Sequence, residues 1–172
     1  MNINNCKKIL VLGDSGRGKS TLSKKLSDKY NLRYIELDDI FWIKKFTKKR
    51  TDEEQIKLLK EILANEEDWI IEGSTRHLVS VCLEVADCIL HLSFKNILMQ
   101  WFYVLRRGFA RKDSIKESLN LCIHLYKKRY GLGNSKGKES VRNMIKPFSE
   151  KVIELDSWEK INRIIDKGDL KK

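Results

Sequence analysis

Gly13-Asp14-Ser15-Gly16-Arg17-Gly18-Lys19-Ser20, followed by Thr21, has the spacing G-x-x-x-x-G-K-[ST]. Such a stretch binds phosphate. Small residues at 13, 16 and 18 let the backbone curl until successive N–H groups point inward as an anion nest, and a following helix aims its positive end at the same point. Lys19 brings a mobile point charge to the outer phosphates. The Ser20 hydroxyl can complete the shell of a Mg²⁺ ion whose other ligands are water and phosphate. Ser15, Arg17 and Thr21 belong to the same nucleotide-binding stretch, with Thr21 placed nearer the sugar. ATP and Mg²⁺ are the ligands this chemistry calls for.

A phosphate loop needs a strand before it and a helix after it. Ile9-Leu10-Val11-Leu12 is a short continuous apolar run, as a strand buried on both faces should be. From about Gly18 to Tyr30, Leu22 and Leu26 mark the inner side of a helix. Arg33 to Leu37 reads as a second strand that ends at Asp38-Asp39 and Phe41-Trp42. The basic stretch from Lys44 to Arg50 reads as a loop without periodicity. Thr51-Asp52-Glu53-Glu54 is a capping box opening a helix to about Asn65, and Asp68 to Gly73 is a third strand ending on Glu72. Asp87 to Leu92 and Lys151 to Leu155 are the fourth and fifth strands, and Asp156 or Ser157 caps a last helix. The order predicts a three-layer, doubly wound α/β domain with a five-stranded parallel sheet ordered 2-3-1-4-5. Ligands in such sheets sit beyond the carboxyl ends of the strands. Asp38 and Glu72 therefore face the cleft, Glu72 as the anionic neighbour of a Ser20-held metal, and Arg76 follows where an anionic substrate group could meet it.

Between Ile97 and Arg107 a helix rich in Leu98, Trp101, Phe102 and Leu105 reads as core. It runs into Arg106-Arg107-Gly108-Phe109-Ala110-Arg111-Lys112, the composition of a flap that folds over phosphates. Ser114-Ile115-Lys116-Glu117 opens the next helix. Gly131 to Lys138 fails the phosphate-loop spacing and reads as a flexible loop.

The 172 residues fit one domain, and 41% apolar residues suffice for a continuous core. The net charge of +11 is concentrated in Lys44 to Arg50, Arg106 to Lys112 and Lys127 to Arg129, with the rest of the chain near neutral. Such patches attract polyphosphates, anionic metabolites or nucleic acid. Cys6, Cys82, Cys88 and Cys122 form no C-x-x-C pair and read as free thiols, largely buried. His77, His91 and His124 are isolated and offer no metal cage. No run approaches a membrane span and no signal peptide opens the chain, which predicts a cytoplasmic protein.

The combination of the Gly13 to Thr21 loop, Leu37-Asp38 with Trp42 beyond, and Trp69-Ile70-Ile71-Glu72-Gly73 resembles the bacterial DNA topology modulation protein family, within the adenylate kinase-like and shikimate kinase-like branch of P-loop proteins. That resemblance implies an ATP-dependent phosphotransferase with an acceptor-side segment over about 38–66 and an arginine lid over about 106–114. It implies that Asp38 orients the acceptor or a metal, that Trp42 and Arg76 lie on the acceptor side, and that Glu72 stands where relatives carry aspartate. Arg107 and Arg111 would clamp developing charge, while Arg106 stacks on the base. Two other readings remain open. One is a nucleic-acid-associated NTPase, although no helix-turn-helix or other reading head is present; the other is a nucleotide-binding regulatory module with weak hydrolysis.

Overall fold

The structure is a computed structural model that describes residues 2–44, 47–111, 114–130, 132 and 140–170, without the side chains of Arg111 and Lys128. Strands β1 (Lys8–Gly13), β2 (Arg33–Glu36), β5 (Trp69–Glu72), β6 (Cys88–Leu92) and β7 (Val152–Leu155) form one sheet in the order β2-β5-β1-β6-β7. Every pairing in it is parallel. This is the expected doubly wound sheet, with β1 at its centre.

Parallel strands covered on both faces need apolar side chains at odd and even positions alike. β1 supplies them. Ile9 and Val11 pack with Leu22 and Leu26 of α1 (Lys19–Tyr30) and with Ile161 and Ile164 of α8 (Trp158–Lys167). Leu10 and Leu12 pack on the other face with Leu59 of α3 (Asp52–Asn65) and Leu78, Val79 and Cys82 of α4 (Arg76–Val85). All four β1 side chains are fully buried, and each contributes about 1.5–3 kcal/mol relative to exposure.

Local signals set the helix boundaries. Thr51 with Glu54, and Ser114 with Glu117, close reciprocal capping boxes at α3 and at α6 (Ile115–Arg129), while Ser157 caps α8. Two segments depart from expectation. β2 stops at Glu36, and Leu37–Phe41 forms a short helix, α2, because Leu37 and Ile40 turn together into the core. Part of the basic stretch is ordered too: β3 (Trp42–Lys44) pairs antiparallel with β4 (Lys48–Lys49). Arg50 holds this hairpin down by donating from Nη1 to the carbonyls of Asp39, Ile40 and Trp42.

The helix α5 (Ile97–Arg111) does not end at Arg107 but continues through Gly108. Its ring-rich row is not core as expected. Leu98, Phe102 and Phe109 are exposed, as are Ile115, Leu119 and Ile123 of α6, because among the described residues the only apolar side chains the two helices bury in a common cluster are Val104, Cys122 and Leu125. Before β7, α7 (Val141–Met144) leads into a 3-10 turn over Lys146–Lys151 that contains Pro147. The Gly131 to Lys138 loop, Leu132 apart, lies outside the described residues. Among the described residues all four cysteines are free and no helix is long and apolar enough to cross a membrane.

At the root of the phosphate loop the sheet leaves no room for a side chain. A Cβ added at Gly13, where φ is 127°, would stand 1.9 Å from the Leu92 carbonyl oxygen of β6. Gly13→Ala should therefore lower unfolding free energy by roughly 2–3 kcal/mol, a loss typical of backbone strain where a side chain has no room. Urea denaturation followed by circular dichroism measures it, and an unchanged midpoint would contradict the close approach.

Candidate functional site

The Gly13 to Ser20 loop curls over the carboxyl end of β1, as its glycines allow. Gly18 caps α1 in the left-handed region at φ 87°, leaving the first N–H groups of the helix directed toward the loop. Lys19 folds back so that Nζ donates to the carbonyls of Gly13 and Asp14, each at 3.2 Å. Asp14 ties the loop to β6: its N–H donates to the Leu92 carbonyl and its carboxylate accepts from the Phe94 N–H, both at 2.8 Å.

Glu72 comes to the loop from β5. Side chains alternate along a strand, so with Trp69 and Ile71 facing α3 and α4, Ile70 and Glu72 face α1. Ser20, on the first turn of α1, donates its hydroxyl to Glu72 Oε1 at 2.6 Å. Tyr34 of β2 donates to Glu36 at 2.7 Å and reaches Glu72 at 3.4 Å. Burial, the bond to Glu36 and the Glu72 charge all push the Tyr34 phenol well above its ordinary value, so it remains a donor. A hydroxyl and a carboxylate beside a phosphate loop form an oxygen donor set that fits Mg²⁺, an ion that keeps water and phosphate ligands for its remaining positions. No group of three His, Cys, Asp or Glu able to cage a metal occurs among the described residues.

Arg17 is placed differently from its neighbours. Its guanidinium is 1% exposed and lies between the rings of Phe94 and Trp158, 4.8 and 4.7 Å from their centroids. Its Nε and Nη1 have no hydrogen-bond partner among the described residues, so ring faces stand in for hydrogen bonds. Burial pulls its pKa down, and Tyr103, Asp156 and Asp14 oppose that pull. The side chain braces the loop from behind. Trp158 Nε1 in turn donates to the Tyr103 hydroxyl of α5 at 2.8 Å, which joins α5 and α8 across the loop.

The other predicted residues are distributed around this centre. Ser15 and Gly16 sit in the loop, Gly16 against Val104 of α5, and Thr21 is exposed on α1. Asp38 is exposed on α2, beyond the end of β2, and Trp42 packs edge-on against Phe41. Arg106 is exposed and Arg107 half-buried on the last turns of α5, where Arg111 ends the helix. Arg76 opens α4 and lines a cavity of about 320 Å³ with Gly13, Asp14, His91, Arg129 and Arg142. The last three were missed by sequence reasoning. His91 pairs in register with Glu154 of β7, and its Nδ1 lies 2.9 Å from a Glu154 oxygen. An isolated histidine in a strand becomes half of a dyad only once the sheet order makes β6 and β7 neighbours.

No family model matches the chain. A Bacillus subtilis (strain 168) protein of uncharacterised function, YqaC, is 43% identical over 68 residues, 40% of this chain and 38% of that protein's length. Solved structures that share the fold include two kinases and a protein of uncharacterised function. A shikimate kinase from Acinetobacter baumannii, solved in complex with shikimate, aligns with a TM-score of 0.56 and 15% identity over 95% of this chain and 94% of its own. A gluconokinase from Sinorhizobium meliloti 1021 aligns at 0.51 and 16%, covering 92% of this chain and 86% of that one. An uncharacterised protein from Eubacterium ventriosum ATCC 27560 aligns at 0.53 and 17%, over 92% and 96%. The fold is that of P-loop kinases.

The hydrogen bond with His91 holds the Glu154 carboxyl below its ordinary 4.5. A carboxyl depressed in the folded state contributes stability above its unfolded pKa and loses it as pH falls through the folded one. Wild type should exceed Glu154→Gln in Tm near pH 5, and that margin should shrink as pH falls toward about 3. Calorimetric scans of both proteins across that range give the answer, and a margin independent of pH would contradict the charge-assisted pairing.

Proposed function

We propose that this chain is an ATP-dependent phosphotransferase acting on a hydroxyl of a small acceptor such as a nucleoside, a nucleotide or a hydroxy-metabolite. The observation that carries this reading is the 2.6 Å contact of Ser20 with Glu72 beside a phosphate loop whose lysine, Lys19, is already directed back over it. The kinase fold supports it as well. Loop N–H groups and Lys19 hold the β and γ phosphates, and Ser20 and Glu72 would hold Mg²⁺. The ion, when bound, would neutralise charge on the phosphate oxygens.

In the transfer, the acceptor oxygen forms a bond to the γ phosphorus as the bond to the β,γ-bridging oxygen breaks, and ADP leaves with that electron pair. The proton of the acceptor hydroxyl passes to Asp38, which also orients the hydroxyl, with Trp42 beside it. Arg107 and Arg111 close from α5 on the developing charge, and Arg106 reaches the base. Little covalent participation is needed; positioning and electrostatic preorganisation supply the rate.

A second reading has one structural observation in its favour. Lys44, Lys48 and Lys49 are exposed together on the β3–β4 hairpin, a surface able to meet a nucleic-acid backbone. The resemblance to DNA topology modulation proteins points the same way. That reading expects DNA or RNA binding whose affinity falls steeply with salt as counterions are released. Absence of binding at low salt in a filter assay removes it.

For the first reading, Mg·ATP at about 100 times its dissociation constant should stabilise the protein by about 2.7 kcal/mol, or roughly 5–10 °C in Tm. Lys19→Ala should abolish that shift. Asp38→Asn should retain it while transfer of label from γ-labelled ATP to a pool of nucleosides, nucleotides and hydroxy-metabolites falls about 10²- to 10⁴-fold. An unchanged thermal shift in Lys19→Ala would mean that the loop does not hold the nucleotide.

A further inference from the structure

β1 and β6 are neighbours, yet the chain leaves β1 toward β2 on one side and leaves β6 toward β7 on the other. Strands that part in this way open a crevice beyond their carboxyl ends. The cavity of about 320 Å³ lies there, lined by Gly13 and Asp14 after β1 and by His91 and Ser93 at the end of β6. It is on the opposite face of the sheet from Glu72. Ile89, two residues before His91, packs with Leu10, Leu12 and α4, whereas Ile70, two before Glu72, packs with α1. The metal-binding pair and this cavity are thus separate places served by one loop.

The wall chemistry is specific. Arg76, Arg129 and Arg142 contribute three cations from three helices, α4, α6 and α7. Arg76 Nε is buried and has no hydrogen-bond partner among the described residues. Arg129 is partly engaged, donating long 3.4 Å bonds to the Phe94 and Lys95 carbonyls. His91 is 5% exposed, and its Nδ1 is occupied by Glu154. A carboxylate can only accept, so Nδ1 carries the hydrogen and, in the neutral ring, Nε2 presents a lone pair. That lone pair accepts a hydrogen bond from a hydroxyl and has nothing to offer an anion.

We propose that His91, oriented by Glu154, is a specificity-determining residue that reads a hydroxyl of a small anionic ligand whose carboxylate or phosphate is held by Arg76, Arg129 and Arg142. The inference rests on the phosphotransferase reading and narrows its acceptor to a hydroxylated anion. Adjacent strands lie about 4.8 Å apart, so the β6 end is about 5–10 Å from the loop mouth over β1 and β5. A ligand anchored in the cavity therefore needs a second hydroxyl at about that reach for transfer. Glu154 acts through His91 and is a positioning residue.

The test uses full-length protein with ¹⁵N-labelled histidine, saturated with Mg²⁺ and a non-hydrolysable ATP analogue so that the loop is filled. It is titrated with glycerol 3-phosphate and with glycerate, and with their hydroxyl-free counterparts propyl phosphate and propionate. The phosphate and carboxylate arms identify the anion. The expected result is a saturable shift of the His91 Nε2 resonance, with at least one hydroxylated probe binding about tenfold or more tightly than its counterpart. Arg142→Ala, an exposed position that leaves the core intact, should weaken both members of that pair. Glu154→Gln, which still accepts from Nδ1, should keep the preference, and His91→Phe should lose it. Failure of all four probes to move the resonance, or an unchanged preference in His91→Phe, overturns the inference. Analogue-induced thermal stabilisation, recorded on the same samples, reports separately on nucleotide binding.

Discussion

Side-chain alternation along parallel strands is the constraint from which the chemistry of this protein follows. β5, β1 and β6 end side by side, and the last polar residues of the outer two fall on opposite faces of the sheet. Glu72 turns to α1 and meets Ser20; His91 turns toward α4 and α7 and meets Glu154. A slip of one residue in either strand would exchange those faces, carrying a carboxylate into the arginine-lined cavity or an imidazole toward Ser20. The apolar residues of β1, buried on both faces, hold this register, so packing in the core fixes the placement of charges at the rim.

The loop itself is held by three kinds of interaction. Gly13 is pressed against β6 with no room for a side chain, Asp14 is hydrogen-bonded to the same strand end, and Arg17 is clamped between two aromatic rings. Each removes conformational freedom before any phosphate arrives. N–H groups held in advance would not need to be ordered when an anion binds, and the affinity gained would be the ordering free energy saved. Arg17, expected in the nucleotide-binding stretch, lies between Phe94 and Trp158, so the same residue also packs the loop against α8 and the segment after β6.

Much of the fold was legible because its signals are local. Apolar runs marked the strands, capping boxes at Thr51 and Ser114 marked helix starts, and the glycine spacing marked the loop. The Ser20 and Glu72 pairing could be anticipated from strand order alone. The dyad of His91 with Glu154 could not, since the partners are 63 residues apart and meet only through register. The misreading of α5 has a different origin. Periodicity identifies an amphipathic helix but not what covers it, and among the described residues the face carrying Leu98 and Phe102 meets no third layer. Similarly, the lysine-rich stretch before Thr51 lacked strand periodicity because a three-residue strand paired to a two-residue one is too short to show any.

The helical hairpin of α5 and α6 has a small interior of its own: among the described residues, three buried side chains against the fourteen in each cluster flanking the sheet. Opening free energy scales with the apolar surface an element hides, so amide exchange is expected to be faster in this pair than in the slab beneath it. Tyr103, at its centre, stacks on Phe94 and bonds to Trp158, the two rings that grip Arg17. Partial melting of the hairpin would thereby loosen the arginine clamp, which ties the softness of the periphery to the phosphate loop through one aromatic stack.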